Sequence, residues 1–212
     1  MPLLIILFLF KRIRINVTIS ILAIYLIVFF TLNFYFKETK LLLGRSNYYF
    51  AYTLLEYLSL SGLLWLCVRG RRIRIYIAIL SAMFVIFLIF FYASVKMARV
   101  DSVPIGIESI LLMTYIVFYF FNEFKTITNE NVYDRPTFWI AIGVFIYIGA
   151  TFFLNILGNS LAKEDFNKYY YYSYFGDILK NIFFAIAIIF FAKSGPKEKK
   201  NIITKVPYLD MI

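Results

Sequence analysis

Six apolar segments of about 20 residues recur along the chain, separated by short stretches in which charged residues collect. As an α-helix, a segment of this length crosses the ~30 Å hydrocarbon layer of a bilayer. Because 62% of the 212 residues are hydrophobic, we predict an all-α polytopic transmembrane helix bundle. It occupies residues 1–192 and is followed by a basic cytoplasmic tail, residues 193–212. The predicted spans are approximately 15–36, 48–68, 75–93, 104–124, 136–157 and 173–193.

A shorter apolar run precedes the first span, from Met1 to Phe10. As a helix it reaches only ~15 Å, which is too short to cross a bilayer. Lys11, Arg12 and Arg14 follow this run, whereas the charged region of a signal peptide precedes its apolar region. We interpret the run as a half-helix or a truncated seventh span.

Lys and Arg residues are distributed unequally between the two sides of the predicted bundle. Fourteen of them belong to the N-terminal segment, the connections after the second and fourth spans, and the tail. Seven lie on the opposite side, and Lys180 lies within the last span. Since cytoplasmic segments carry the excess of positive charge, we predict a multi-pass plasma-membrane protein with a cytoplasmic C-terminus. The net charge of +10 is thus a topology signal, and we predict no nucleic-acid partner.

The residue types that are rare in this chain exclude several kinds of chemistry. The sequence has no histidine and a single cysteine, Cys67. Histidine-dependent triads and dyads, histidine metal sites and histidine-ligated haem are therefore excluded. One cysteine cannot form an intrachain disulfide. We predict no cofactor, no metal site and no catalytic residue.

Ionisable side chains lie inside several predicted spans. Glu56 is near the middle of the second span, and Glu108 is about one turn from the outer end of the fourth. Asp177 and Lys180 are three residues apart in the last span. Such groups face a protein interior or a water-filled cavity, because lipid does not solvate them. Lys180 can pair with Asp177 in its own helix or with Glu108 across helices. We infer a polar cavity in the outer half of the bundle.

Polar residues at helical spacing complete the candidate binding site. In the fifth span Tyr147, Thr151 and Asn155 recur at steps of four, while Gly143 and Gly149 are predicted to permit close helix packing. The alternative interpretation is that the polar residues only join helices through hydrogen bonds worth ~1 kcal/mol. The candidate ligand-binding residues are Glu56, Glu108, Tyr147, Thr151, Asn155, Asp177, Lys180 and Asn181.

Four stretches of the second half of the chain carry a resemblance to a known family. They are ESILL from Glu108, FYFFNEF at the end of the fourth span, RPTFWIAIGVFIYIGATFFLNIL from Arg135, and DILKNIFFAIAIIFF from Asp177. Together they resemble a family of small, uncharacterised multi-pass membrane proteins of Bacteroidetes-type bacteria. The resemblance covers roughly residues 45–192. It implies about seven helices, a location in the bacterial inner (plasma) membrane and a cytoplasmic C-terminus. The short apolar run at the N-terminus departs from that pattern.

The resemblance also implies which residues are typical of the family, although it implies no activity. These residues are Glu56, Glu108, Pro136, Trp139, Tyr147, Lys180 and Asn181.

The first functional hypothesis is a non-enzymatic sensor or a partner- or ligand-binding bundle. Its polar cavity would take a small or lipidic ligand, so its partners would be membrane lipid and a signalling or membrane partner protein. We favour this hypothesis because the spans carry no strong catalytic constellation.

Two alternatives remain open. A carboxylate-dependent lipid hydrolase, similar to membrane lysoplasmalogenases, would use Glu56 or Asp177 as acid or base and Lys180 to hold an anionic head group. A small proton-coupled transporter would use the same ionisable groups to carry protons.

Overall fold

The computed structural model describes residues 17–68, 70–94, 102–125, 132–157 and 163–193. These residues form seven α-helices and one 3-10 helix, with no strand among them. Every α-helix except α2 contains a segment long and apolar enough to cross a membrane, so the predicted all-α bundle with six full spans is confirmed. Such helices indicate a multi-pass membrane protein. The helices are α1 (Val17–Phe34), α2 (Phe36–Leu43), α3 (Arg45–Cys67), α4 (Arg71–Ser94), α5 (Ser102–Lys125), the 3-10 helix Val132–Asp134, α6 (Pro136–Leu157) and α7 (Lys163–Lys193).

The predicted half-helix Met1–Phe10 and the tail from residue 194 onward lie outside the described residues.

The connection between the first two spans is mostly helical. The predicted first span runs to Phe36, whereas α1 ends at Phe34 and α2 begins after Tyr35. α2 has the sequence FKETKLLL, whose charged residues cannot continue an apolar span. Gly44 then separates α2 from α3 with a φ of 78°. Glycine adopts this conformation without the clash that a Cβ atom would cause, which allows the chain to turn sharply into α3.

The last helix begins earlier than the sequence predicts. The predicted span starts at Ser173 after a polar loop, but α7 is a continuous helix of 31 residues from Lys163. At ~1.5 Å per residue it is about 46 Å long, so it exceeds the hydrocarbon thickness by about 16 Å. Glu164 lies in its first turn, where a negative side chain interacts favourably with the helix dipole. Polar sequence at this point therefore extends the helix instead of ending it.

α3 lies at the centre of the bundle. It packs against α1, α4, α5 and α6, and Tyr57, Leu60, Leu63 and Leu64 on its surface are fully buried. α4 is the most peripheral span, with 17% of its apolar window buried against 44% in α3 and in α5. Between Ile75 and Ala93 the exposed side chains of α4 are apolar or aromatic, as a lipid-facing surface requires, whereas the exposed Arg71 and Arg72 lie in its first turn.

At the end that the charge count places in the cytoplasm, two arginine side chains contact the end of the preceding span. Between α3 and α4, Arg74 Nε donates to the Val68 carbonyl at 2.6 Å, and the Arg74 guanidinium lies 5.0 Å from the centre of the Trp65 ring. Between α5 and α6, Arg135 forms an ion pair with the buried Glu123. These two arginines therefore make specific contacts at the helix ends, in addition to contributing to the charge bias.

The α6–α7 pair has the most extensive contact in the bundle, and glycines make its close approach possible. A Cβ atom on Gly176 would lie 2.7 Å from Cβ of Ala150, and one on Gly143 would lie 3.0 Å from Cβ of Phe183. The packing role predicted for Gly143 is confirmed. The same prediction for Gly149 is wrong, since no described atom lies within 4 Å of a Cβ placed there.

We expect Gly176→Ala to destabilise the bundle by about 1–3 kcal/mol, because the new methyl group forces α6 and α7 apart. Gly149→Ala is the matched control, since it also replaces a glycine in a long helix but meets no neighbour. Equilibrium unfolding of both variants in detergent measures the difference. Equal stabilities of the two variants would contradict the close crossing.

Candidate functional site

The candidate site is a group of polar side chains at the centre of the bundle, contributed by four spans. We call it the Lys180 cluster, and its members are Tyr25 of α1, Glu56 of α3, Tyr147 of α6, and Asp177 and Lys180 of α7. Each member contacts at least one other member through a hydrogen bond, an ion pair or a cation–π contact. The cluster therefore joins helices that are distant in sequence.

The ammonium group of Lys180 is fully occupied by its neighbours. Its Nζ atom donates to the Tyr25 hydroxyl at 2.9 Å and lies 2.7 Å from Oδ1 of Asp177. It also lies 3.5 Å from the centre of the Tyr147 ring. The side chain of Lys180 is only 4% exposed, whereas that of Asp177 is 46% exposed. Of the two carboxylate partners considered for Lys180, the structure shows the one in its own helix.

Tyr147 connects the ammonium group to a second carboxyl group. Its hydroxyl donates to Oε1 of Glu56 at 2.7 Å, while the face of its ring receives the Lys180 ammonium. The Gly143 crossing places the α7 backbone against α6 one turn away, since Lys180 O would lie 3.3 Å from a Cβ on Gly143. Close helix packing thus sets the position from which Lys180 reaches the Tyr147 ring.

Glu108 is a further candidate residue, and it lies outside the contacts that define the cluster. It is 5% exposed. Glu108 is therefore a buried carboxyl group on α5 that none of the hydrogen bonds or ion pairs of the cluster includes.

Carboxyl groups outnumber ammonium groups at this site. Glu56, Glu108 and Asp177 provide three carboxyls, and Lys180 provides the single described ammonium group near them. An uncompensated negative charge inside a membrane bundle is costly. The excess carboxyl groups therefore require protons or positive charge from outside the described residues.

The cluster extends from the middle of the spans toward the ends that the charge count places outside. Tyr25, Glu56 and Tyr147 lie at the midpoints of their helices. Glu108 and Asp177 lie about 8 Å from the midpoints of their spans, at ~1.5 Å per residue. The half-exposed carboxylate of Asp177 is the outermost member of the cluster.

Two further predicted candidates are not joined to the cluster, and a third lies outside the described side chains. The Thr151 hydroxyl donates to the Tyr147 carbonyl of its own helix at 2.8 Å. Asn181 is partly buried and forms none of the contacts that join the cluster. The side chain of Asn155 lies outside the part of the chain that the structure describes. The structure thus brings together Glu56, Tyr147, Asp177 and Lys180.

Tyr25 is the member that sequence reasoning missed. Its only signal is a hydroxyl-bearing aromatic residue in the apolar middle of the first span. Its ring lies 4.6 Å from Phe29 and 6.0 Å from Phe184, measured between ring centres. These contacts fix the ring so that its hydroxyl points to Lys180.

A second, uncharged network lies elsewhere in the core. The Tyr57 hydroxyl donates to Oγ of Ser81 at 2.9 Å and lies 3.0 Å from the Tyr115 hydroxyl. These residues join α3, α4 and α5. Tyr115 and Tyr119 share the Glu108 face of α5, but Tyr119 bonds to Thr137 at 3.1 Å. The polar face of α5 therefore serves several separate contacts.

No family model, curated protein or solved structure matches this chain. The resemblance to a Bacteroidetes-type membrane protein family stays a prediction. The described residues bring together no group of three or more Cys, Asp or Glu side chains able to hold a metal ion.

We expect Asp177→Asn to destabilise the protein by roughly 1–3 kcal/mol, because it leaves the buried Lys180 ammonium without its carboxylate. The effect is smaller than for a fully buried pair, since Asp177 is half exposed. Adding Lys180→Met should recover most of the loss, because the unpaired charge is then gone. A double-mutant cycle of unfolding free energies in detergent tests this prediction, and additive effects would contradict the pairing.

Proposed function

We propose that this protein is a non-enzymatic sensor or ligand-binding bundle of a bacterial inner membrane, which binds a small or lipidic ligand at the Lys180 cluster. Its ligand comes from the membrane or from the outer side, and its output passes to a membrane or signalling partner protein. The charge bias supports a cytoplasmic C-terminus, since fourteen Lys and Arg residues belong to that side and seven to the other.

One observation carries the proposal: a half-exposed carboxylate, Asp177, is linked directly to a buried ionic cluster that joins α1, α3, α6 and α7. A ligand that binds Asp177 or its neighbours changes the contacts of four spans at once. A binding event can therefore shift the arrangement of the bundle, which is what a sensor requires.

A comparison within the same molecule argues against a purely structural role for the cluster. The hydroxyl network of Tyr57, Ser81 and Tyr115 joins three spans and contains no carboxylate or ammonium group. Helix association thus does not require charged groups in this bundle. Buried charges in membrane proteins are costly and usually mark binding or transport sites.

Proton-coupled transport is the second candidate, and the surplus of carboxyl groups around Lys180 favours it. Glu56 and Glu108 are both buried inside the spans, at 8% and 5% exposed, as groups that carry a proton through a bundle must be. A lipid hydrolase has less support, because Asp177 is engaged by Lys180 and Glu56 by Tyr147.

We expect total bacterial lipid extract to raise the unfolding temperature of the wild type in detergent. Glu56→Gln and Lys180→Met should abolish that shift. Without lipid, Glu56→Gln should leave the stability unchanged or raised, because it removes one of the surplus buried carboxyl groups. Glu164→Gln and Lys125→Met are matched controls that remove the same charges at exposed positions, and both should keep the full shift. Thermal unfolding of the five proteins, with and without lipid, measures these effects.

One outcome of these unfolding measurements would contradict the proposal. If both cluster variants unfold and the wild type shows no lipid shift, the cluster only joins helices and the proposal is wrong.

A further inference from the structure

We propose that α2 is a lid, which controls access to the Lys180 cluster from the end of the bundle that the charge count places outside. This inference concerns the regulation of the cluster and rests on the binding function proposed above. In the closed state, α2 holds the outer end of a row of aromatic side chains that extends through the bundle to Lys180.

α2 is weakly held between two points at which the helix is interrupted. Tyr35 separates it from α1, and Gly44, with a φ of 78°, separates it from α3. All the side chains of α2 that the structure describes are exposed, and Leu41 is 87% exposed. A segment with few buried contacts opens at a low free-energy cost, and residues at the ends of an element absorb the change in backbone angles. α2 is therefore able to move while the rest of the bundle stays in place.

The contact that holds α2 closed is strained by an unsatisfied hydroxyl group. Phe36, the first residue of α2, packs edge to face against Tyr48 in the first turn of α3, with ring centres 5.3 Å apart. Tyr48 is 3% exposed, and its hydroxyl has no hydrogen-bond partner among the described residues. A buried hydroxyl without a partner costs free energy, which contact with water recovers. The closed state therefore carries a cost that is relieved when Phe36 moves away and water reaches Tyr48.

A continuous row of side chains joins this contact to the centre of the bundle. Tyr48 and Tyr52 are one turn apart on α3, and their ring centres are 6.1 Å apart. The Tyr52 ring lies 5.2 Å from the ring of Phe29 on α1, which in turn lies 4.6 Å from the ring of Tyr25. The hydroxyl of Tyr25 accepts the hydrogen bond from Lys180. Release of α2 thus frees the outer end of a row whose inner end contacts the buried ammonium group.

The same face of α3 leads from the lid to the second carboxyl group of the cluster. Tyr48, Tyr52 and Glu56 follow one another at steps of four, which places them on one side of the helix. At ~1.5 Å per residue, Glu56 lies about 12 Å further along α3 than Tyr48. Opening of α2 therefore uncovers the outer end of the face on which Glu56 lies.

Acetylation of Lys180 by a charged, water-soluble amine reagent measures how often the lid opens, because this reagent enters only from the aqueous phase. The full chain in detergent micelles would be exposed to excess reagent, and the rate at each lysine followed by mass spectrometry. The exposed Lys125 gives the reference rate. The buried thiol of Cys67, followed with a thiol-specific reagent, reports global unfolding.

Two substitutions should change the rate at Lys180 in opposite directions. Phe36→Ala removes the ring that holds α2 on Tyr48, so it should raise the rate roughly 10-fold. Tyr48→Phe removes the unpartnered hydroxyl and with it the cost of the closed state, so it should lower the rate roughly fivefold. Leu41→Ala is the control at an exposed position of the same helix, and it should leave the rate unchanged.

Equal rates at Lys180 in Phe36→Ala and Leu41→Ala would overturn the inference, and so would a faster rate in Tyr48→Phe. If Cys67 becomes reactive in Phe36→Ala, that variant has unfolded globally and Tyr48→Phe alone decides.

The proposed binding function fails by a different result. If the rates follow these predictions and lipid extract does not stabilise the wild type, α2 moves as a lid but the binding function is wrong. If lipid extract stabilises the wild type and neither substitution changes the rate at Lys180, the lid is wrong and the binding function stands.

Discussion

The structure depends on keeping one ammonium group inside an apolar bundle. Lys180 lies in a span that is mostly aliphatic and aromatic. Lipid cannot solvate the charge of its ammonium group. Every contact that satisfies it comes from a defined helix: Tyr25 from α1, Tyr147 from α6 and Asp177 from its own turn. These requirements fix which faces of α1, α6 and α7 point inward, and Tyr147 extends the constraint to α3 through Glu56.

Close packing and polar contact reinforce each other in this arrangement. Gly143 and Gly176 let α6 and α7 approach closely enough for the Lys180 ammonium to reach the Tyr147 ring. Membrane helices gain little from the hydrophobic effect, so such contacts and backbone proximity determine which helices associate. The uncharged network of Tyr57, Ser81 and Tyr115 serves the other half of the bundle, where α3, α4 and α5 meet. The Lys180 cluster instead joins α1, α3, α6 and α7.

The sequence predicts the spans well because apolar length is a local property. It also predicts the pair Asp177–Lys180, since residues three apart in a helix are neighbours. It does not predict Tyr25, because the rotation and neighbours of α1 depend on packing between distant segments. The Thr151 hydroxyl donates to the Tyr147 carbonyl of its own helix. The spacing of polar residues alone cannot distinguish such a bond from a contact between helices. The early start of α7 was missed because polar residues outside the membrane form loops and helices alike.

The burial of Lys180 is the central claim, and amine-reactive labelling measures it directly. Native protein in detergent would be acetylated at limiting reagent, digested and analysed by mass spectrometry. The account predicts that Lys180 stays unmodified while the exposed Lys125 reacts, and that Lys180 reacts once the protein is unfolded in denaturing detergent. Modification of Lys180 at the rate of Lys125 in the native protein would contradict the cluster and the binding site built on it.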